Sequence, residues 1–132
     1  MPRKEEGSLE WATYGYSFAE RLKWIRAHRK ISQEKLAELS GMHRNQISNL
    51  ERNTSRERDS SADPHLSTVY ELARALNVAP ELLLPDTGRV PSARSAEHRG
   101  DTAFAMIEVD LTSALRQVDS RRLQSTEREI GS

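Results

Sequence analysis

The sequence contains no cysteine, and this absence excludes disulfide bridges, thiolate metal sites and cysteine nucleophiles. It also contains no apolar run that approaches the length of about 18 residues needed to cross a bilayer. The N-terminal residues lead into no apolar stretch of the kind that a secretory signal requires. We therefore expect a cytoplasmic protein with no membrane-spanning segment.

Aromatic residues are also scarce, at 5% of the chain, and apolar residues make up 36% against 30% charged residues. A chain of 132 residues is the size of one domain, and this composition indicates a small core with extended or disordered tails. The formal net charge is zero, but residues 17–58 hold ten Lys or Arg against five Asp or Glu. This basic block would attract a partner molecule that carries negative charge.

The apolar residues recur with a helical period, which predicts an all-α protein. Phe18, Leu22 and Ile25, for example, lie on one face of the first predicted helix. The predicted helices are Ser17–Arg29, a short helix capped by Ser32 that ends before Gly41, Arg44–Arg52, a helix that starts at Pro64 and carries apolar residues from Leu66 to Leu76, Ala79–Leu84 and Thr102–Gln124. The chain accordingly divides into a flexible lead (1–16), a five-helix domain (17–85), a linker (86–101) and a C-terminal helix (102–132).

The second and third predicted helices are short and joined by a tight turn, which is typical of a helix-turn-helix. Ala37 is small where the two helices cross, Gly41 permits the turn, and Ile47 anchors the later helix on the earlier one. In this motif the later helix enters the major groove of DNA. Its polar outer face consists of Arg44, Asn45, Ser48, Asn49 and Arg52.

The segment ISQEKLAELSG at residues 31–41, followed by ISNLER at 47–52, resembles the phage-repressor and Cro-like (Xre) family of DNA-binding domains. LARALNV at 72–78 and PELL at 80–83 are similar to the fourth and fifth helices of that family. The resemblance extends over Phe18 to Leu84, about half of the chain. It implies a five-helix, lambda-repressor-like domain that binds operator DNA, usually as a dimer, and regulates transcription.

The resemblance also implies roles for single residues. Gln33, at the start of the second helix, would bind a phosphate of the DNA backbone. Arg44, Asn45 and Asn49 match the base-reading positions of the family. Their chemistry is independent support, because Arg pairs with guanine and Asn with adenine in the major groove, while Ser48 can contact base or backbone.

Two further expectations concern charged residues. The connection after the third helix is longer than in most family members, and this part of the chain, which holds Arg56 and Arg58, departs from the family pattern. An Arg in the loop after a recognition helix nevertheless lies near the DNA backbone. We therefore expect phosphate contacts from Arg52, Arg56 and Arg58. The resembling family places opposite charges at Arg26 and Glu51, and we expect a partly buried structural ion pair there.

The C-terminal helix carries an apolar stripe formed by Phe104, Met106, Ile107, Leu111, Leu115 and Val118. Such a stripe either packs on its own domain or pairs with a second copy. We favour dimerisation, because the five helices already use their own apolar faces for the core. A β-strand at Ala105–Leu111 remains an alternative, since Ile107, Val109 and Leu111 alternate with charges. The exposed side of Trp24 needs a cover, from Leu9–Tyr16 or from the C-terminal helix.

Catalytic and metal-binding patterns are missing from the sequence. The histidines have no helical spacing that suggests a metal site, and there is no glycine-rich phosphate loop and no G-x-S-x-G motif. We expect neither enzymatic activity nor a cofactor or metal. The expected function is that of a homodimeric repressor at a two-fold symmetric operator in double-stranded DNA. The alternative is an antitoxin or similar regulator whose C-terminal segment binds a partner protein.

Overall fold

The computed structural model describes residues 7–54, 61–97, 105, 107–117, 119 and 120. These residues form helices and connections, and none of them lies in a β-strand. The elements are α1 (Trp11–His28), α2 (Gln33–Ser40), α3 (Arg44–Glu51), α4 (Leu66–Leu76), a 3₁₀ turn (Pro80–Leu82) and α5 (107–117). The predicted all-α fold is confirmed. The β alternative is wrong because residues 107–111 are helical.

The turn between α2 and α3 is built from the residues that the sequence indicates. The Ser32 hydroxyl accepts a hydrogen bond from the Lys35 amide at 3.0 Å and caps the start of α2. Gly41 ends α2 in the left-handed conformation, with φ of 72°, which a residue without a Cβ adopts at little cost. The Met42 amide then donates to the Ala37 carbonyl at 3.1 Å. This bond closes the turn, and α3 begins two residues later at Arg44.

One hydrophobic cluster forms the core, and every described α-helix contributes to it. Its most deeply buried large side chains are Leu22, Ile25, Leu36, Ile47, Leu72, Leu76, Leu83, Ile107, Leu111 and Leu115. Burial of this apolar area is the main source of stability, at about 25 cal/mol per Å² removed from water. Because α2 and α3 both insert side chains into this core, the helix-turn-helix is held on a packed scaffold.

Packing of α5 on the core corrects one expectation. Ile107, Leu111 and Leu115 are at most 1% exposed within the single chain. The expectation that the other helices leave no surface for this stripe is therefore wrong for these three residues, and the reason for assigning them to a dimer interface disappears. The other residues of the stripe, Phe104, Met106 and Val118, lie outside the described residues.

Trp24 is half-buried and is covered by α5, one of the two alternatives that the sequence leaves open. Its indole Nε1 donates to Glu108 Oε1 at 3.3 Å. Its ring stacks on His28, one turn later on α1, with the ring centroids 5.1 Å apart. A second contact joins the C-cap of α1 to a residue that follows α5, because Arg29 pairs with Asp119 at 3.3 Å.

Helix α1 begins at Trp11, six residues before the predicted start at Ser17. The prediction of a flexible lead is thus wrong for residues 11–16. Tyr14 continues the apolar face of Phe18 one turn earlier, and its hydroxyl donates to the Ser92 carbonyl at 2.6 Å. The Trp11 indole donates to the Ala62 carbonyl at 2.8 Å. Distant segments therefore supply the contacts that hold this first part of α1.

Residues 92–97 pack against α1, so the prediction of a linker is wrong for these residues, whereas residues 87–91 are exposed. The Ser95 amide donates to Thr13 Oγ1 at 2.9 Å, and the Ser95 side chain is fully buried. Arg21 is buried and forms a bidentate ion pair with Glu97. Its remaining nitrogen donates to the Leu82 carbonyl at 3.0 Å. The rest of the predicted linker, 98–101, lies outside the described residues.

Candidate nucleic-acid interface

Helix α3 has one buried and one open side. Ile47 and Leu50 point into the core, and Ile47 is completely buried. The opposite side presents the predicted base-reading residues to solvent: Arg44 and Asn45 are exposed, and Ser48 and Asn49 are partly exposed. The structure thus brings the four predicted base-reading residues together on one eight-residue helix. A single helix of this size fits the major groove of B-form DNA.

A bidentate ion pair holds the C-terminal end of α3 against α1. Arg26 Nε and Nη2 donate to the two carboxylate oxygens of Glu51 at 2.7 and 2.9 Å. A further Arg26 nitrogen donates to the Ile31 carbonyl at 3.0 Å. The hydrogen bond to Glu51 is the main reason that the pKa of Arg26 is raised, and burial opposes it. Arg26 and Glu51 therefore join α1, α3 and the connection before α2.

Gln33 belongs to the same network. Its Nε2 donates to Glu51 Oε1 at 3.1 Å, so the amide links the start of α2 to the end of α3. Sequence comparison with the family suggests a phosphate contact for this residue, but not an internal role. The Gln33 side chain is only partly buried, and Nε2 has a second hydrogen that this bond leaves unused. Its contact with phosphate remains a prediction.

Gln46 is a residue of the interface that the sequence reasoning missed. Its Oε1 accepts a hydrogen bond from the His43 amide at 2.9 Å, which satisfies a free donor at the start of α3. The available signal was its position, three residues after the N-cap, where a Gln or Glu completes a capping box. Its side chain is exposed between Asn45 and Ile47, beside the predicted base-reading residues.

The end of α3 carries Arg52, which is exposed and lies three residues beyond Asn49. Arg52 Nη2 donates to Asn49 Oδ1 at 2.9 Å. The next two predicted phosphate contacts, Arg56 and Arg58, fall outside the described residues.

Asn53 ties together the two ends of the long connection after α3. Its backbone is left-handed, with φ of 54°, a conformation that Asn tolerates better than most residues. Its Oδ1 accepts from the Ala62 amide at 3.3 Å, and its Nδ2 donates to the Ala12 carbonyl at 3.0 Å. The additional residues of this connection therefore leave and return at neighbouring points beside α1.

Gly15 of α1 makes the approach of Asn53 possible. A Cβ at position 15 would lie 2.2 Å from Asn53 Oδ1 and 3.4 Å from the Ala62 carbonyl oxygen. Glycine normally weakens the middle of a helix. Here the absent side chain provides the space that the α3 connection needs to dock on α1.

Two features associated with other functions do not occur in the described part of the chain. No group of three or more His, Asp or Glu side chains there could hold a metal ion. None of the helices described is both long and apolar enough to cross a membrane.

The comparison with protein families assigns the motif. A family model described as helix-turn-helix matches residues 22–83, the region that contains α2, α3, α4 and the 3₁₀ turn. The chain belongs to this family, in its phage-repressor and Cro-like (Xre) form. As a helix-turn-helix protein of this kind, it is a DNA-binding regulator of transcription, and its architecture is lambda-repressor-like.

Two solved structures are similar to this helix-turn-helix regulator. The restriction-modification controller protein C.AhdI from Aeromonas hydrophila is 31% identical over 53% of this chain and 96% of its own, with a TM-score of 0.47. The hypothetical transcription factor NHTF from Neisseria is 29% identical over 65% of this chain and 88% of its own, also with a TM-score of 0.47. No curated protein matches the chain.

The family match leaves two parts of the regulator outside its limits. The first half of α1 precedes residue 22, and the segment 86–97 and α5 follow residue 83. Residues 92–97 pack on the first half of α1, and α5 packs on the core. The regulator is therefore a family domain with added structure at both ends.

Proposed function

We propose that this regulator binds a two-fold symmetric operator as a homodimer and represses transcription by blocking access of RNA polymerase. The observation that carries the proposal is the exposed polar side of α3, held in place by the bonds among Arg26, Glu51 and Gln33. A recognition helix whose C-terminal end is anchored in this way needs little rearrangement to enter the major groove.

The proposal gives each residue of the interface a chemical role. Arg44 contacts guanine, Asn45 and Asn49 contact adenine, and Ser48 contacts base or backbone. Phosphate contacts come from Gln33, Arg52, Arg56 and Arg58. Such recognition needs no enzymatic activity, cofactor or metal, and it takes place where the DNA is, in the cytoplasm.

The geometry of DNA is the reason for proposing a homodimer. One α3 reads one half-site, and two half-sites on the same face of the double helix are about 34 Å apart. Joining two copies converts the second contact into an intramolecular one and raises the affinity. Because Ile107, Leu111 and Leu115 are buried within one chain, the contact between copies must use other side chains. The same burial weakens the alternative in which this stripe binds a partner protein.

Selection of bound sequences from random DNA, followed by titration with salt, tests the proposal. We expect enrichment of an inverted repeat, with log affinity falling linearly as log salt concentration rises. Replacement Asn45→Ala should weaken the selected site by about 1 to 3 kcal/mol and relax the preference at one base pair. Equal enrichment of all sequences, or equal losses for Asn45→Ala on selected and random DNA, would contradict base reading by this face.

A further inference from the structure

The C-terminal end of α3 carries a hydrogen bond between two side chains of its outer face. Arg52 Nη2 donates to Asn49 Oδ1 at 2.9 Å. The two residues are three apart in a helix and its cap, so they share one side of it. The proposed function gives them separate tasks, base reading for Asn49 and phosphate binding for Arg52. The bond makes these tasks dependent on each other.

The chemistry of the two groups determines how the amide is turned. A guanidinium has N–H donors and no acceptor, so the Asn49 atom that faces it must be the oxygen. The two hydrogens of Asn49 Nδ2 are then on the side of the amide away from Arg52. Oδ1 has two lone pairs, and the bond to Arg52 occupies one of them. The held amide therefore still offers both N–H donors of Nδ2 and one acceptor lone pair of Oδ1.

We propose that Arg52 is a positioning residue for Asn49 and thereby helps to determine which base Asn49 reads. This inference rests on the proposed DNA-binding function. A donor beside an acceptor on one amide complements N7 and the N6 amino group of adenine. An unrestrained Asn side chain loses rotamer freedom when it contacts a base, and the bond to Arg52 restricts it beforehand. Adenine is thus favoured by an amide that is already oriented.

Three single variants, together with Arg52→Ala in the Asn49→Ala background, separate positioning from a simple phosphate contact. Arg52→Ala removes the charge and the donor. Arg52→Gln removes the charge but retains an amide donor for Asn49 Oδ1. Asn49→Ala identifies, by its loss of preference, the base pair that Asn49 reads. For each variant, affinities are measured by fluorescence anisotropy on the selected operator and on a duplex with that one base pair replaced, over a series of salt concentrations.

We expect Arg52→Ala to lower the ratio of the two affinities about three- to tenfold, the effect of one net hydrogen bond. Arg52→Gln should keep the ratio while it lowers the salt slope by about one phosphate contact. In the Asn49→Ala background, Arg52→Ala should leave the ratio unchanged. Circular dichroism and the thermal midpoint check that the fold is retained, as expected for an exposed residue.

Three results would overturn the inference. Arg52→Ala could weaken both duplexes alike, which would make Arg52 a phosphate contact only. The ratio could fall further in the Asn49→Ala background, which would show that Arg52 does not act through Asn49. Arg52→Gln could lower the ratio as much as Arg52→Ala, which would assign the effect to charge. Failure of the proposed function itself has a different signature, since the unmodified protein would then enrich no sequence from random DNA.

Discussion

Substitution of Leu111 by Ala tests whether α5 is part of the core. Leu111 is 0% exposed and lies in the same cluster as residues of α1, α2, α3 and α4. Removal of its buried side chain loses transfer energy and leaves a cavity, so the free energy of unfolding should fall by about 2 to 5 kcal/mol. Alanine is the better helix former of the two, and helix propensity therefore cannot account for such a loss. Urea denaturation followed by circular dichroism measures it.

The matched control is Val109→Ala on the same helix. Val109 is 68% exposed, and its replacement should change the free energy of unfolding by less than about 0.5 kcal/mol. Both variants are measured at two protein concentrations that differ at least tenfold. If burial of Leu111 depended on a second copy, the loss would change with concentration. Equal stabilities for the two variants, or a loss that depends on concentration, would refute the packing of α5 on its own domain.

Three further predictions concern the parts that hold the helix-turn-helix. Glu51→Ala leaves Arg26 without its partner in a site where the Glu51 side chain is 4% exposed. The free energy of unfolding, measured by chemical denaturation, should fall by about 3 kcal/mol, whereas a loss below about 1 kcal/mol would indicate a solvated pair. Gly15→Ala should lower the free energy of unfolding by about 1 to 3 kcal/mol through the clash with Asn53, and an additional Asn53→Gly change should recover part of it; a stabilised single variant would contradict the close approach. Ser32→Ala removes the cap of α2 and should cost about 1 kcal/mol, seen as a lower thermal midpoint, whereas an unchanged midpoint would mean that the cap is dispensable.

The central part of the fold could be predicted from local sequence signals. Helix α4 spans Leu66–Leu76, as its apolar period predicts, and α3 begins at Arg44 as expected. Ser32 and Gly41 mark the ends of α2 because capping and left-handed turns depend on single residue types. Placement of the polar residues on the outside of α3 follows from the same periodicity. Local rules therefore suffice for the motif that carries the family match.

The flanking parts could not be predicted in this way, because they are held by contacts between distant residues. Tyr14 and Ser92 are 78 positions apart, and nothing in either neighbourhood indicates that they meet. The stripe on α5 shows that one side of the helix is buried, but periodicity does not reveal against what. The bond between Arg52 and Asn49 escapes prediction for a different reason, since the two residues are only three positions apart but the motif assigns each of them to DNA separately.

The attachment of segment 92–97 to the first half of α1 has a consequence for the order of folding. Ser95 and Thr13 are 82 positions apart, and Glu10 bonds to the Ala93 carbonyl at 2.7 Å across a similar separation. Contacts between such remote positions close a long loop and slow folding in comparison with purely local helical contacts. During synthesis the recognition helix leaves the ribosome well before residues 92–97. The contacts of the first half of α1 with residues 92–97 therefore form only after the helix-turn-helix has been synthesised, and until then the nascent helix-turn-helix lacks this support.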